Sequence, residues 1–374
     1  MSPILPQELI DVAINHLWND IRALAACALT CHACLHSART HLFRDQRLTG
    51  SKDYERFASL LERFPEVTRY VHKLSVTEPT SNSYAQPWVN HISGLIVQLT
   101  RLASLELIGL RYVSLAHCAP ETLAAFGQLS ELVFADVHFD HFADVHKLLA
   151  AARNVDSLCF YRVGWAHATG TPPFEEAPAP PPTPLRLRRL VIDSWAASLM
   201  LREWVLPCAE QGDFAIKSLM VRWRERDAMD VLDSLLRVCG SALEHLYLEL
   251  PSMTEEFSNV PTLGLNTGLR TLEIDGLVLP GWAGWASSLL AGLRTVQLEK
   301  LVVSMLVLRN DVLPSFEWGQ LDDVLALPQF ATVALAVTVN RALHPNNDPA
   351  AMRDAVMAHL PRVHHRGRLS ISCS

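Results

Sequence analysis

The chain has 374 residues, of which 49% are hydrophobic and 19% charged, so it can bury a sizeable core and is not intrinsically disordered. The formal net charge of −7 argues against a nucleic-acid partner, and the longest apolar runs are too short to span a bilayer. No signal peptide is recognisable and the eight cysteines are irregularly spaced, which predicts an intracellular protein, cytoplasmic or nuclear, with reduced thiols and no membrane partner.

Residues 1–48 are predicted to form a separate helical domain of three short helices. Pro6 suits the first turn of a helix, and apolar residues at helical spacing follow it. Asp20 is the expected N-cap of a second helix, and a third is expected from about Leu35 to Phe43. Helices this short bury little surface among themselves, so at least one apolar face is expected to dock on another surface.

Residues 49–374 repeat one unit, a short strand followed by a loop and a helical stretch. The strand starts lie 24 to 37 residues apart, and a leucine commonly stands three residues before each strand, as in the L-x-x-L-x-L core of a leucine-rich repeat. The predicted strands are 74–76, 105–107, 132–134, 158–160, 190–192, 219–221, 246–248, 272–274, 296–298, 333–335 and 369–371. The pattern predicts an α/β repeat fold, a leucine-rich-repeat-like solenoid with a curved parallel sheet inside and helices outside.

A doubly wound α/β enzyme is the alternative, since it also alternates strands and helices. It does not account for the recurring leucine, and the chain has no glycine-rich phosphate loop. No other catalytic motif is present, the scattered histidines and acidic pairs are expected to be surface or capping residues, and we predict no enzyme activity and no cofactor. The Pro-rich segment 168–184 is expected to be a solvated loop, with a polyproline ligand as the alternative.

The cysteines near the N-terminus are the strongest candidate for a metal or redox site in this sequence. Cys27, Cys31 and Cys34 lie close together with His32 and His36, and Cys31 and Cys34 have C-x-x-C spacing. A zinc site needs about four converging ligands. A redox motif of the thioredoxin type needs a preceding strand, whereas this stretch is predicted to be helical on both sides. Buried core cysteines are the favoured interpretation, with metal binding and redox chemistry as alternatives.

Two tryptophans, Trp282 and Trp285, are either core residues or binding anchors.

The N-terminal segment resembles an F-box. The resemblance covers residues 3–48 and is carried by the L-P-x-E-L opening at Leu5, the spaced leucines after it, the Leu-x-x-Cys element ending at Cys27, and the Leu-Phe-Arg at 42–44. It is similar to the F-box of a large group of fungal proteins that join this motif to divergent leucine-rich repeats. Many relatives carry a tryptophan where this chain has Cys34.

The resemblance implies a substrate-recruiting subunit of a Skp–cullin–F-box ubiquitin ligase. Its F-box docks on the Skp-type adaptor, through it on the cullin ligase, and its repeats bind a protein substrate. The residues that correspond to the docking surface are Leu5, Pro6, Leu9, Ile10, Ile14 and Leu17, with Leu24, Leu29 and Cys31 partly docking and partly internal. The alternative is a non-catalytic scaffold or binding protein whose F-box no longer engages the ligase.

The repeat pattern also predicts a substrate-binding face. Residues that alternate with the core leucines are expected to face out on the concave side of the sheet. The predicted contact residues are Tyr161, Arg222, Tyr247, Glu249, Glu273, Asp275 and Glu299. The late repeats place acidic residues on neighbouring strands, where their repulsion is relieved by solvent or by a cationic partner. We therefore expect a Lys- or Arg-bearing substrate segment here, the alternative being a solvated polar surface.

Overall fold

The computed structural model describes most of the chain in thirteen stretches. They are residues 6–78, 92–113, 126–152, 154–167, 186–194, 197–210, 215–250, 260–279, 284–294, 297–307, 313–314, 316–341 and 349–373. The chain forms two compact units, Met1–Pro178 and Ala179–Ser374. The Pro-rich segment 168–184 lies outside the described residues. Among those that are described, no helix is both long and apolar enough to cross a membrane.

The first unit begins with three helices, α1 (Gln7–Asn15), α2 (Ile21–Thr30) and α3 (His32–Arg44). Asp20 caps α2 as predicted, because its carboxylate accepts a hydrogen bond of 3.0 Å from the Ala23 N–H. Ile14, Leu24 and Ala38, one residue from each helix, are almost fully buried and form a small shared core. The helices therefore pack on one another around few residues, which leaves much of their apolar surface outside.

The rest of the first unit consists of parallel strands that follow one another in chain order. The strands of the main sheet are β1 (Asp45–Thr49), β2 (Lys73–Thr77), β3 (Ser104–Ile108), β5 (Glu131–Ala135) and β7 (Ser157–Tyr161). A second, three-stranded parallel sheet contains β4 (Arg111–Val113), β6 (His138–His141) and β8 (Gly164–His167). The helical segments are Ser51–Arg63, Pro65–Tyr70, Ile92–Gln98, Phe126–Gln128 and Phe142–Ala151.

The second unit continues the same strand–helix alternation. Its parallel strands, again in chain order, are β9 (Arg189–Asp193), β10 (Ser218–Arg222), β11 (His245–Glu249), β12 (Thr271–Leu279), β13 (Lys300–Val307), β14 (Ala334–Arg341) and β15 (Leu369–Cys373). Its helical segments are Ala197–Met200, a π-turn at Leu201–Val205, Leu206–Glu210, Arg226–Ala228, Met229–Cys239, Gly240–Ala242, Gly284–Ala291, Trp318–Leu325, Pro328–Phe330, Pro349–His359 and Pro361–His364. Because strand order never reverses within a unit, the doubly wound alternative is wrong for both.

One leucine per strand occupies the same register position in β2, β3, β5 and β7 of the first unit and in β9 to β15 of the second unit. In the first unit Leu74, Leu105, Leu132 and Leu158 are direct partners on adjacent strands and are fully buried. The second unit has the equivalent row Leu190, Leu219, Leu246, Leu272, Leu301, Leu335 and Leu369. Full burial of a leucine contributes about 1.5–3 kcal/mol, so these rows are a main source of stability. The α/β repeat architecture is confirmed.

Three strand predictions were wrong or incomplete. The segment 296–298 was predicted as a strand, but the strand begins at Lys300, where the apolar run 301–307 pairs with both neighbours. Strand β1 was missed because Gln46 occupies its leucine position, opposite Leu74. This strand crosses the predicted boundary between residues 48 and 49. The short strands of the second sheet were also missed, and one of them contains His138 and His141.

Four repeats have a residue in left-handed backbone conformation at the same position, directly after the strand in three of them and at the bulge within β12 in the fourth. These residues are Gly109, Asp136, Arg162 and Gly276, each four positions after the row leucine, with φ between 51° and 80°. Only glycine adopts this conformation without strain, so Asp136 and Arg162 are held there by the surrounding repeat. The two charged side chains form an ion pair of 2.5 Å with each other.

Replacing Gly276 by alanine is expected to destabilise the second unit. The new Cβ atom meets the Glu249 side chain and the Leu250 carbonyl oxygen at 2.8 Å, and φ is +80°. The expected loss is about 2 kcal/mol in the free energy of unfolding, measured by urea denaturation. Gly94→Ala is the control, since no atom lies within 4 Å of its added Cβ and alanine favours the helix. Equal effects of the two substitutions would contradict this account.

Candidate partner-binding surfaces

Exposed apolar side chains concentrate on the N-terminal helices. Of the nine large apolar residues that are exposed in the described part of the chain, five lie between positions 9 and 29, so this short segment is the natural place to look for a docking surface. We call these five residues, Leu9, Val12, Trp18, Ile21 and Leu29, the N-terminal apolar set; their exposed fractions run from 52% to 89%. Val12, Trp18 and Ile21 were not predicted, although Val12 lies one turn from Leu9 on α1.

The structure divides the predicted docking residues into three groups. Pro6, Leu9, Leu29 and Cys31 are exposed, and Leu5 lies outside the described residues. Ile10 and Leu17 are half-buried against the small helical core. Ile14 and Leu24 are 3% and 1% exposed, so their assignment to the docking surface is wrong: they hold the three helices together and have almost no surface to offer a partner.

Polar contacts fix α1 against α3 and so orient the N-terminal apolar set. The Asp11 carboxylate accepts hydrogen bonds from the Gln7 amide and from the Ser37 hydroxyl, which together lower the pKa of Asp11. The Gln7 amide also donates to the Ala33 carbonyl oxygen at 2.9 Å. His41 contacts Asn15 at the far end of α1. Both ends of α1 are therefore held without covering Leu9 or Val12.

The cysteine cluster is only partly internal. Cys27 and Cys34 pack against the helical core, as predicted, but Cys31 is exposed because α2 ends at Thr30 and α3 begins at His32. The described residues contain no group of three or more potential metal ligands.

Of the two tryptophans considered as anchors, Trp282 lies outside the described residues and Trp285 is 2% exposed in the core.

The strand face opposite the row leucines carries a connected set of charged and aromatic side chains in the second unit. We call it the strand-face cluster, and it consists of Asp193, Arg222, Arg224, Tyr247, Glu249 and Asp275. Arg222 lies between two carboxylates, 3.3 Å from Asp193 and 2.9 Å from Glu249. Arg224 contacts the same two carboxylates at 3.8 and 3.0 Å.

Tyr247 extends the strand-face cluster to the next strand. Its hydroxyl donates a hydrogen bond of 2.8 Å to Asp275 and lies 3.4 Å from Glu249, while Arg222 lies over its ring at 5.9 Å. Burial raises the pKa of Tyr247 above its ordinary value, and the hydrogen bond to Asp275 raises it further. The phenol therefore stays protonated at neutral pH and acts as a hydrogen-bond donor.

The repulsion among the acidic residues of this face was expected to be relieved by solvent or by a cationic partner, but cations of the chain itself already pair with two of these residues. Arg222 and Arg224 neutralise Glu249, and Glu273 has Lys300 at 3.9 Å. Glu299 precedes β13 instead of lying on a strand, and it pairs with Arg270 at 3.2 Å. The first unit contains the remaining predicted contact residue, Tyr161, which is half-buried. Sequence reasoning missed Arg224 because it lies two residues beyond its strand.

Comparisons with known proteins do not identify a family. No family model matches the chain, and no curated protein does either. Among solved structures, an internalin (inlF) from Listeria monocytogenes str. 4b F2365 aligns with a TM-score of 0.36 and 13% sequence identity, covering 96% of each chain. The repeat fold assigned above is therefore taken from the strand pairing of this chain itself.

Replacing Arg222 by alanine is expected to destabilise the second unit by about 2 kcal/mol, because it leaves the nearly buried Asp193 and Glu249 with Arg224 alone. Arg270→Ala is the matched control: it removes an exposed pair with Glu299 and is expected to cost about 0–1 kcal/mol. Urea denaturation of both variants measures the difference. If Arg222→Ala costs no more than Arg270→Ala, the strand-face cluster is not a structural network.

Proposed function

We propose that this chain is the substrate-recruiting subunit of a Skp–cullin–F-box ubiquitin ligase. The observation that carries the proposal is the N-terminal apolar set, five large exposed side chains within the F-box-like segment, four of them on α1 and α2 and Trp18 in the turn between these helices. Soluble chains seldom leave so many large apolar residues uncovered on so short a segment, unless a partner covers them. An adaptor protein with an apolar groove is such a partner.

The packing of the three N-terminal helices supports the proposal, because it holds the N-terminal apolar set in place before a partner binds. The small core of Ile14, Leu24 and Ala38 sets the helix packing, and the Asp11 contacts hold α1 on α3. The exposed residues are therefore presented by a held scaffold, which lowers the entropy lost on binding. The segment also contacts the first repeat, where His36 lies 3.2 Å from the Tyr70 hydroxyl.

The repeats supply the substrate-binding half of the proposal. Alternating residues on β10, β11 and β12 are partly exposed, while the row leucines beside them are buried. The strand-face cluster has two cationic and three anionic groups, so it offers both hydrogen-bond donors and acceptors to a protein segment. Glu273, with 40% of its side chain exposed and only a long contact of 3.9 Å to Lys300, is available to a basic residue of the substrate.

The docking proposal predicts that Leu9→Ala with Val12→Ala abolishes binding to a purified Skp-type adaptor. Both side chains are more than half exposed, so the double variant is expected to unfold at the same urea concentration as the wild type. Two anchors lost from an apolar interface are expected to weaken binding at least about a hundredfold, measured by calorimetry with both proteins purified.

Val97→Ala with Leu265→Ala is the matched control, because it removes two exposed apolar residues elsewhere. The control is expected to bind the adaptor like the wild type. Binding retained by the Leu9 and Val12 variant would contradict docking through α1. A wild-type chain that does not bind any Skp-type adaptor would instead favour a scaffold protein that acts outside the ligase.

A further inference from the structure

Two cysteines meet at the start of α3. The backbone of Cys31 is extended, with φ −159° and ψ 162°, so it separates α2 from α3 and forms the N-cap of the 13-residue helix α3. Cys34 lies in the first turn of that helix. The two sulfur atoms are 3.5 Å apart. This break between the helices places both sulfur atoms at the N-terminal end of α3, with helix α2 before them instead of the strand of a thioredoxin-type motif.

The surroundings of the two thiols differ. Cys31 is exposed, whereas Cys34 is half-buried against the helical core. The backbone N–H of Cys34, at the positive N-terminal end of α3, lowers the pKa of Cys31, and the Cys34 thiol lowers it further. The hydrogen bond between the two sulfurs raises the pKa of Cys34. Negative charge is therefore favoured on the exposed sulfur, and the thiolate is the reactive form of cysteine.

We propose that Cys31 and Cys34 form a reversible dithiol–disulfide site, in which Cys31 is the attacking thiolate, Cys34 the resolving thiol, and a low-molecular-weight disulfide the oxidant. This inference is independent of ligase docking and goes beyond it. The two sulfur atoms are close to each other, and one of them is accessible to an oxidant. A disulfide bond between them joins the last residue before α3 to the first turn of that helix.

The chemistry balances in two exchange steps. The Cys31 thiolate attacks one sulfur of the oxidant, which forms a mixed disulfide and releases one thiolate. Cys34 then loses its proton and attacks the Cys31 sulfur, which forms the Cys31–Cys34 bond and releases the second thiolate. The two cysteines lose two electrons and two protons in total, and the oxidant becomes two thiols. The sulfurs must approach by about 1.5 Å to reach the disulfide bond length of about 2.0 Å.

The test uses the full chain equilibrated with mixtures of reduced and oxidised glutathione, followed by alkylation of free thiols and peptide mass mapping. We expect a Cys31–Cys34 linked peptide that grows with the oxidised fraction and disappears on reduction. Cys27→Ser is the control and is expected to leave that peptide unchanged. Cys34→Ser is expected to stop the reaction at a mixed disulfide of Cys31 with glutathione. A chain that forms no Cys31–Cys34 bond at any ratio overturns the proposal.

A second measurement remains informative if a variant unfolds. In the wild-type chain, the alkylation rate of each cysteine by iodoacetamide is followed between pH 5 and pH 9 by peptide mapping. Because the pKa of Cys31 is lowered, its thiolate persists to lower pH, and its rate at neutral pH is expected to exceed that of Cys34 at least tenfold. Faster alkylation of Cys34 or Cys27 than of Cys31 overturns the assignment of the nucleophile.

Discussion

Each strand in this protein buries its apolar side only because its neighbours continue the same register. The row leucines are direct partners from strand to strand, and a single repeat has no other way to cover them. This constraint explains why the helices can vary from one turn to three while the strands keep their spacing. It also explains why the chain tolerates Asp136 and Arg162 in left-handed conformation, since the repeat fixes the path of the backbone there.

The same constraint decides what the sequence could predict. Ten of the eleven predicted strands begin within one residue of the observed strand, because a buried leucine at a fixed offset is a local signal. Strand β1, with Gln46 at that offset, carries no such signal. The sequence predicted which strand positions face outward, but it did not predict the ion pairs between them. Arg224, for example, reaches Glu249 and Asp193 across strands from different repeats. The third helix was predicted from about Leu35 but begins at His32, because the alanine and cysteine before Leu35 continue the helical pattern.

The two candidate surfaces differ in physical character. The N-terminal apolar set is uncharged and poorly covered, so association there would be driven by burial of apolar area and would depend little on salt. The strand-face cluster already satisfies its own charges, so a partner must match hydrogen-bond geometry instead of supplying net charge. Because Glu249 pairs with arginines of the chain itself, replacing it is expected to lower the stability of the fold as well as any binding. A binding measurement on such a variant would not separate the two effects.

The strand-face cluster also affects the order in which the repeats unfold. Repeat arrays unravel from a free end, one unit at a time, when each unit is held only by its neighbour. Here Asp193, Arg222, Glu249 and Tyr247 with Asp275 connect four successive strands, β9 to β12, through side chains as well as backbone. Those four repeats are thus expected to open together, and their exchange-protected amides to form one cooperative block.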